Sequence, residues 1–150
     1  DISIKPLLKD FFKEHTLSMS LVSGVKETLR NLSQIFNIII LSNIPFEYYE
    51  NRKKALYINK IEYPFVANLG LKGKTVKKII NNFDKIFWFI DDSPNQIKSV
   101  KKECPSIKTM HFVSNTKLSK LIGNSCFSDH REKKWYDIEK TIIQDFYENN

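Results

Sequence analysis

Two adjacent carboxylates, Asp91 and Asp92, follow a run of five apolar residues, Ile86 to Ile90. A short, aromatic-rich run of this kind predicts a strand covered on both faces. Ser93 suits a helix N-cap and Pro94 the first helical position, so the acidic pair falls at the carboxyl end of a strand, just ahead of a helix. Open α/β sheets bind ligands at that edge. Neighbouring carboxylates repel each other unless they share a proton or a cation. Mg²⁺ suits such a pair, because it takes one or two carboxylates together with waters and a substrate phosphate. The plainer alternative is an acidic strand-to-helix turn, with Asp92 complementing the helix dipole.

Two other positions carry groups of matching chemistry. Ser42-Asn43 ends the β-branched run Ile38-Ile39-Ile40-Leu41, which predicts a central parallel strand. Lys74 opens a helix after a loop bracketed by Gly70 and Gly73. A Ser hydroxyl and backbone N–H groups can hold phosphoryl oxygens, and a Lys ammonium neutralises them as a mobile point charge. Singly, Ser42 also suits a turn or cap, and Lys74 a solvated helix start. Order and spacing carry more: Lys74 lies 32 positions after Ser42, and Asp91 lies 17 after Lys74.

The elements that must position these groups alternate along the chain. Pro6 to Glu14 can form a helix, and Val25, Leu29, Leu32 and Phe36 form one stripe of the next. Pro45 starts a helix running to about Tyr57, and Tyr63 to Asn68 is a weaker strand. Val76, Ile79, Ile80 and Phe83 face inward from a helix over Lys74 to Phe83; Ile97, Val100 and Cys104 do so from the helix that Pro105 ends. Lys108 to Val113 predicts a strand, Thr116 to Ile122 a short helix closed by Gly123, and Trp135, Ile138, Ile142 and Phe146 a last amphipathic helix from about Glu132. This alternation predicts one α/β domain over residues 1–150, a Rossmann-like three-layer sandwich. Its sheet is mostly parallel with helices on both faces.

With 41% hydrophobic and 27% charged residues, the composition is that of a folded globular chain. The formal charge of +7 is carried by scattered Lys, with Arg only at 30, 52 and 131. It lacks the focused stripe of a nucleic-acid binder, so no nucleic-acid partner is expected. Cys104 and Cys126 have no CxxC spacing, and no apolar run approaches a membrane span. A cytoplasmic protein with reduced thiols, no zinc and no membrane partner is expected. The first residue is not Met, and the expectation is that residues upstream are missing.

Ile38 to Asn43, Gly73-Lys74 before a helix, and Phe89-Ile90-Asp91-Asp92-Ser93 resemble, in that order, the second, third and fourth motifs of the haloacid dehalogenase-like (HAD) phosphohydrolases. Val22 to Leu29 resembles the helix leading into the second motif, so the resemblance covers roughly residues 20 to 113. It implies Mg²⁺-dependent hydrolysis of a phosphate ester. Ser42 and Asn43 would bind the phosphoryl group, Lys74 would stabilise it, and Asp91 and Asp92 would hold Mg²⁺. The family's first motif is a strand ending in Asp-x-Asp, whose first Asp forms an aspartyl-phosphate and whose second is the general acid/base. Residues 1–41 contain no such pattern. Asp10 lies in a helical pattern, whereas Asp1 stands in a plausible place with Ser3 where the second Asp would be. Without a positioned nucleophile the covalent route is closed, and without an acid/base partner the rate falls by about 10²–10⁴. The second reading is therefore a catalytically inactive HAD-like domain acting as a binding or regulatory module.

In this family cap insertions choose the substrate, and the 32 positions between Ser42 and Lys74 leave no room for a large cap domain. The resemblance then implies an open site, suited to a bulky substrate or to covering by a partner subunit in a homo-oligomer. His111 is expected as a packed histidine at a strand edge and Asp129 to Lys134 as a charged turn and helix start; Tyr48, Tyr49 and Arg52 follow the Ser42 loop within reach of a substrate, the tyrosines at a helical spacing that also suits half-buried packing.

Overall fold

Parallel strands alternate with helices along the chain. The computed structural model describes residues 10–12, 14–81 and 87–149. The chain divides into two compact units, Asp1–Gly70 and Leu71–Asn150. The expected helix over Pro6 to Glu14 lies partly outside the described residues; 10–12, 14 and 15 are helical.

In the first unit, α1 (Val25–Leu32) buries Val25, Thr28, Leu29 and Leu32, the three-and-four spacing of a single face. Strand β1 (Ile40–Asn43) pairs in parallel with β2 (Phe65–Asn68), from Ile40 beside Phe65 to Asn43 beside Asn68. A 3₁₀ turn (Phe46–Tyr48) and α2 (Tyr49–Ile58) make the crossover that a parallel pair requires. The β-branched run enters the sheet two residues later than its composition suggests. Ile39 is exposed and Ile40 to Ser42 are only half-buried. Among the described residues β1 pairs with β2 alone.

The second unit holds α3 (Gly73–Ile80), β3 (Trp88–Asp91), α4 (Pro94–Glu103), β4 (Lys108–Phe112), α5 (Thr116–Leu121), β5 (His130–Glu132) and α6 (Trp135–Glu148). Its three strands lie in the order β3-β4-β5, all parallel. Ile97, Val100, Met110 and Ile138, wholly buried, form the centre of its core. Gly73 is required by a close approach. A Cβ there would come 2.3 Å from the Ser99 carbonyl oxygen of α4. The Lys72 and Gly73 N–H groups, left without partners by the helix start, donate to Gln96 Oε1 (2.9 Å) and Ser99 Oγ (3.0 Å). Side chains of α4 thus cap α3 and hold its first residues in place.

The charged stretch Asp129 to Lys134 departs from expectation. His130–Glu132 is a strand against β4, and α6 begins at Trp135. Three residues suffice for this pairing, and Arg131 finds partners beyond the sheet. Its Nη2 donates to the Ser119 and Ile122 carbonyls, each at 2.8 Å, at the end of α5. Because β5 covers β4, His111 lies on the middle strand of its sheet and is fully buried, not at an edge. No described helix is long and apolar enough to cross a membrane.

Candidate functional site

The carboxyl end of β3 separates its two carboxylates. Asp91 is buried. Its Oδ2 lies 2.7 Å from Lys72 Nζ, and its Oδ1 accepts the Ser93 N–H at 2.9 Å, closing an Asx turn. Lys72 is nearly as enclosed, with its side chain 11% exposed, and Nζ lies 6.0 Å from the centre of the Phe89 ring. Removing one partner of such a pair leaves an uncompensated buried charge. Asp92 is exposed, and its carboxylate makes no hydrogen bond or ion pair among the described residues. Its main chain is held instead: the Asp92 carbonyl accepts from His111 Nε2 at 3.1 Å. Ser93 takes the N-cap position of α4 through its backbone carbonyl, which accepts from Gln96 and Ile97. Its hydroxyl does not cap, contrary to expectation.

Lys72, not named from the sequence, is the lysine that reaches this strand end. Lys74 is exposed in the first turn of α3 and makes no hydrogen bond or ion pair among the described residues. The signal was present: Lys72 stands four positions before buried Val76, on the inward face of α3, whereas Lys74 is about 200° away around the axis. Helical Cβ atoms tilt toward the N-terminus, so a side chain at the helix start can extend beyond it.

In the first unit, the end of β1 presents Ser42 and Asn43. The Ser42 hydroxyl is half-buried and has no hydrogen-bond partner among the described residues. Asn43 is fully engaged. Its Nδ2 donates to the Gly70 carbonyl (2.8 Å), and its Oδ1 accepts from Asn68 Nδ2 (2.7 Å). Gly70, at φ +79, takes a left-handed conformation that turns its carbonyl to both asparagines. Tyr48 is buried against Phe12, Tyr49 stacks on Phe65, and Arg52 Nη2 rests 2.9 Å from Met19 Sδ. The two tyrosines serve packing, Tyr48 more deeply buried than expected. Asp1 lies outside the described residues, and Asp10 is exposed on a helical turn.

No cluster of three or more His, Cys, Asp or Glu side chains forms a metal cage among the described residues. The donor set still fits Mg²⁺, which keeps several waters and needs one or two carboxylates. The Asp92 carboxylate makes no hydrogen bond or ion pair among the described residues, and Asp91 uses two of about four acceptor positions.

No protein-family model matches the sequence, and no curated protein sequence matches it. A solved structure, that of a candidate haloacid dehalogenase-like hydrolase from Burkholderia xenovorans LB400, matches with a TM-score of 0.65 at 14% identity, over 92% of this chain. The chain spans 66% of the length of that protein. The likeness establishes the fold, α/β and Rossmann-like, as the alternation of strands and helices predicts.

Proposed function

We propose that the protein is an Mg²⁺-dependent phosphohydrolase acting on a phosphate ester. The observation that carries this reading is the end of β3, where a buried Lys72–Asp91 pair adjoins the free, exposed Asp92 carboxylate. Asp92, with the remaining acceptor positions of Asp91, would hold Mg²⁺. When bound, the ion supplies Lewis acidity that polarises a phosphoryl group. Asp91 holds the Lys72 ammonium by one of its three N–H donors, leaving two for phosphoryl oxygens. We therefore assign the phosphoryl-stabilising role to Lys72 ahead of Lys74. On the resemblance alone, Ser42 and Asn43 are the candidate phosphoryl-binding residues; Asn43 fixes the end of β1. Asp1 is the candidate nucleophile, on the resemblance alone. A cytoplasmic setting is proposed on the cysteine spacing of the sequence alone.

The test is a broad panel of phosphate esters with the full gene product. Mg²⁺-dependent hydrolysis is expected, abolished by Asp1→Asn and lowered about 10²–10³-fold in kcat by Lys72→Met. No Mg²⁺-dependent turnover of any ester would contradict the proposal. A second reading, a binding or regulatory module without turnover, is favoured by the lack of an Asp-x-Asp strand in residues 1–41. It predicts Mg²⁺ or phosphate binding by a chain that turns over no ester.

A further inference from the structure

We infer that His111 is the positioning residue for Asp92, fixing the main chain that aims the free carboxylate. The inference rests on the cation-site reading above. The His111 ring is fully buried, and its Nε2 lies 3.1 Å from the Asp92 carbonyl oxygen. A carbonyl oxygen can only accept, so the proton of the imidazole belongs on Nε2. That leaves Nδ1 as a buried acceptor with no hydrogen-bond partner among the described residues. A buried unmet acceptor is unfavourable. An apolar side chain of similar volume would fill the space without it, so packing alone does not account for an imidazole here.

The strand register explains how His111 reaches this point. His111 lies beside Asp91 in the β3–β4 pair, and its ring extends to Asp92, the first residue beyond the strand. Asp92 is then bracketed: the preceding side chain grips the Ser93 N–H, and His111 grips the Asp92 carbonyl. With no hydrogen bond or ion pair on the Asp92 carboxylate among the described residues, the direction in which that side chain leaves the chain is set by its backbone. Outer-shell groups of this kind tune a cation site without being ligands.

Three measurements on the full chain test the inference. Long-range ¹H–¹⁵N NMR of the wild-type imidazole should place a proton on Nε2; a ring protonated on Nδ1 alone overturns it. In His111→Leu, exchange of the Ser93 amide should rise about tenfold relative to amides within β3 and β4, and Mn²⁺ affinity by EPR should fall about tenfold. His111→Gln, which keeps a donor near the same place, should restore both to within about twofold of wild type. A folded His111→Leu chain with wild-type exchange and affinity overturns the inference, as does a His111→Gln chain that behaves like His111→Leu. If His111→Leu does not fold, His111→Gln decides: a tenfold loss there, despite the retained donor, counts against it. A wild-type chain that binds no Mn²⁺ removes the cation-site reading instead, while Ser93 exchange still decides whether His111 holds the loop.

Discussion

The ends of β1 and β3 are built alike and differ in what locks them. Each closes a parallel strand with two consecutive polar residues, one engaged and one free. At β1 the second residue, Asn43, is tied to Asn68 and Gly70 while the Ser42 hydroxyl is left open. At β3 the first residue, Asp91, is tied to Lys72 and the Ser93 N–H while Asp92 is left open. The lock at β1 is neutral and reaches the surface; the lock at β3 is a buried ion pair. A neutral lock can be lost at the net worth of its hydrogen bonds, whereas a buried charge cannot lose its partner without a large penalty. The free group follows the same division, a neutral hydroxyl at one end and a carboxylate at the other.

This contrast can be broken by substitution. Lys72→Met leaves Asp91 buried and unpaired, and should lower unfolding free energy by about 3–5 kcal/mol in urea titration. Asn43→Ala, measured the same way, should cost about 1–2 kcal/mol, because Asn43 itself is exposed and Asn68 keeps its bond to the Gly70 carbonyl. If the two losses were equal, the distinction between charged and neutral locks would fail.

Asp129 offers a third carboxylate for comparison. Burial alone would raise its pKa. Hydrogen bonds from Lys101 and from the Thr109 N–H and hydroxyl outweigh that effect and hold it below the ordinary 3.8. A depressed folded pKa contributes stability above the unfolded value, lost as pH falls through the folded one. Wild-type stability should therefore decline on the acid side of 3.8 with a contribution that Asp129→Asn lacks, read from unfolding midpoints across that range. The smallest effect belongs to Lys74→Met, within about 0.5 kcal/mol of wild type, since that side chain faces solvent.

Much of the architecture was legible because apolar runs and helical stripes are local signals. The stripe of Ile97 and Val100 lies buried in α4 as its spacing predicts, and the acidic pair stands where the apolar run stops. Strand β5 was not legible. His130, Arg131 and Glu132 have no apolar alternation, and what makes them a strand is pairing with β4 and the grip of Arg131 on α5. His111 was misplaced for the same reason, since its burial depends on β5. The shift of β1 shows the converse limit: β-branched residues favour a strand, but pairing sets where it starts. Residue types identified the ends of β1 and β3 and the polar groups they carry. The division between Asp91 and Asp92 depended on a lysine 19 positions from Asp91, which sequence order could not distinguish from Lys74 without the facing direction of α3.

Titration of the full chain with Mg²⁺, followed calorimetrically for wild type and Asp92→Asn, tests most directly the claim that Asp92 is the open carboxylate of a cation site. Wild type should bind, and Asp92→Asn should bind at least about tenfold more weakly with an unchanged unfolding midpoint, since its exposed carboxylate makes no hydrogen bond or ion pair among the described residues. A wild-type chain that does not bind Mg²⁺, or an Asp92→Asn chain that binds it equally well, would contradict the account.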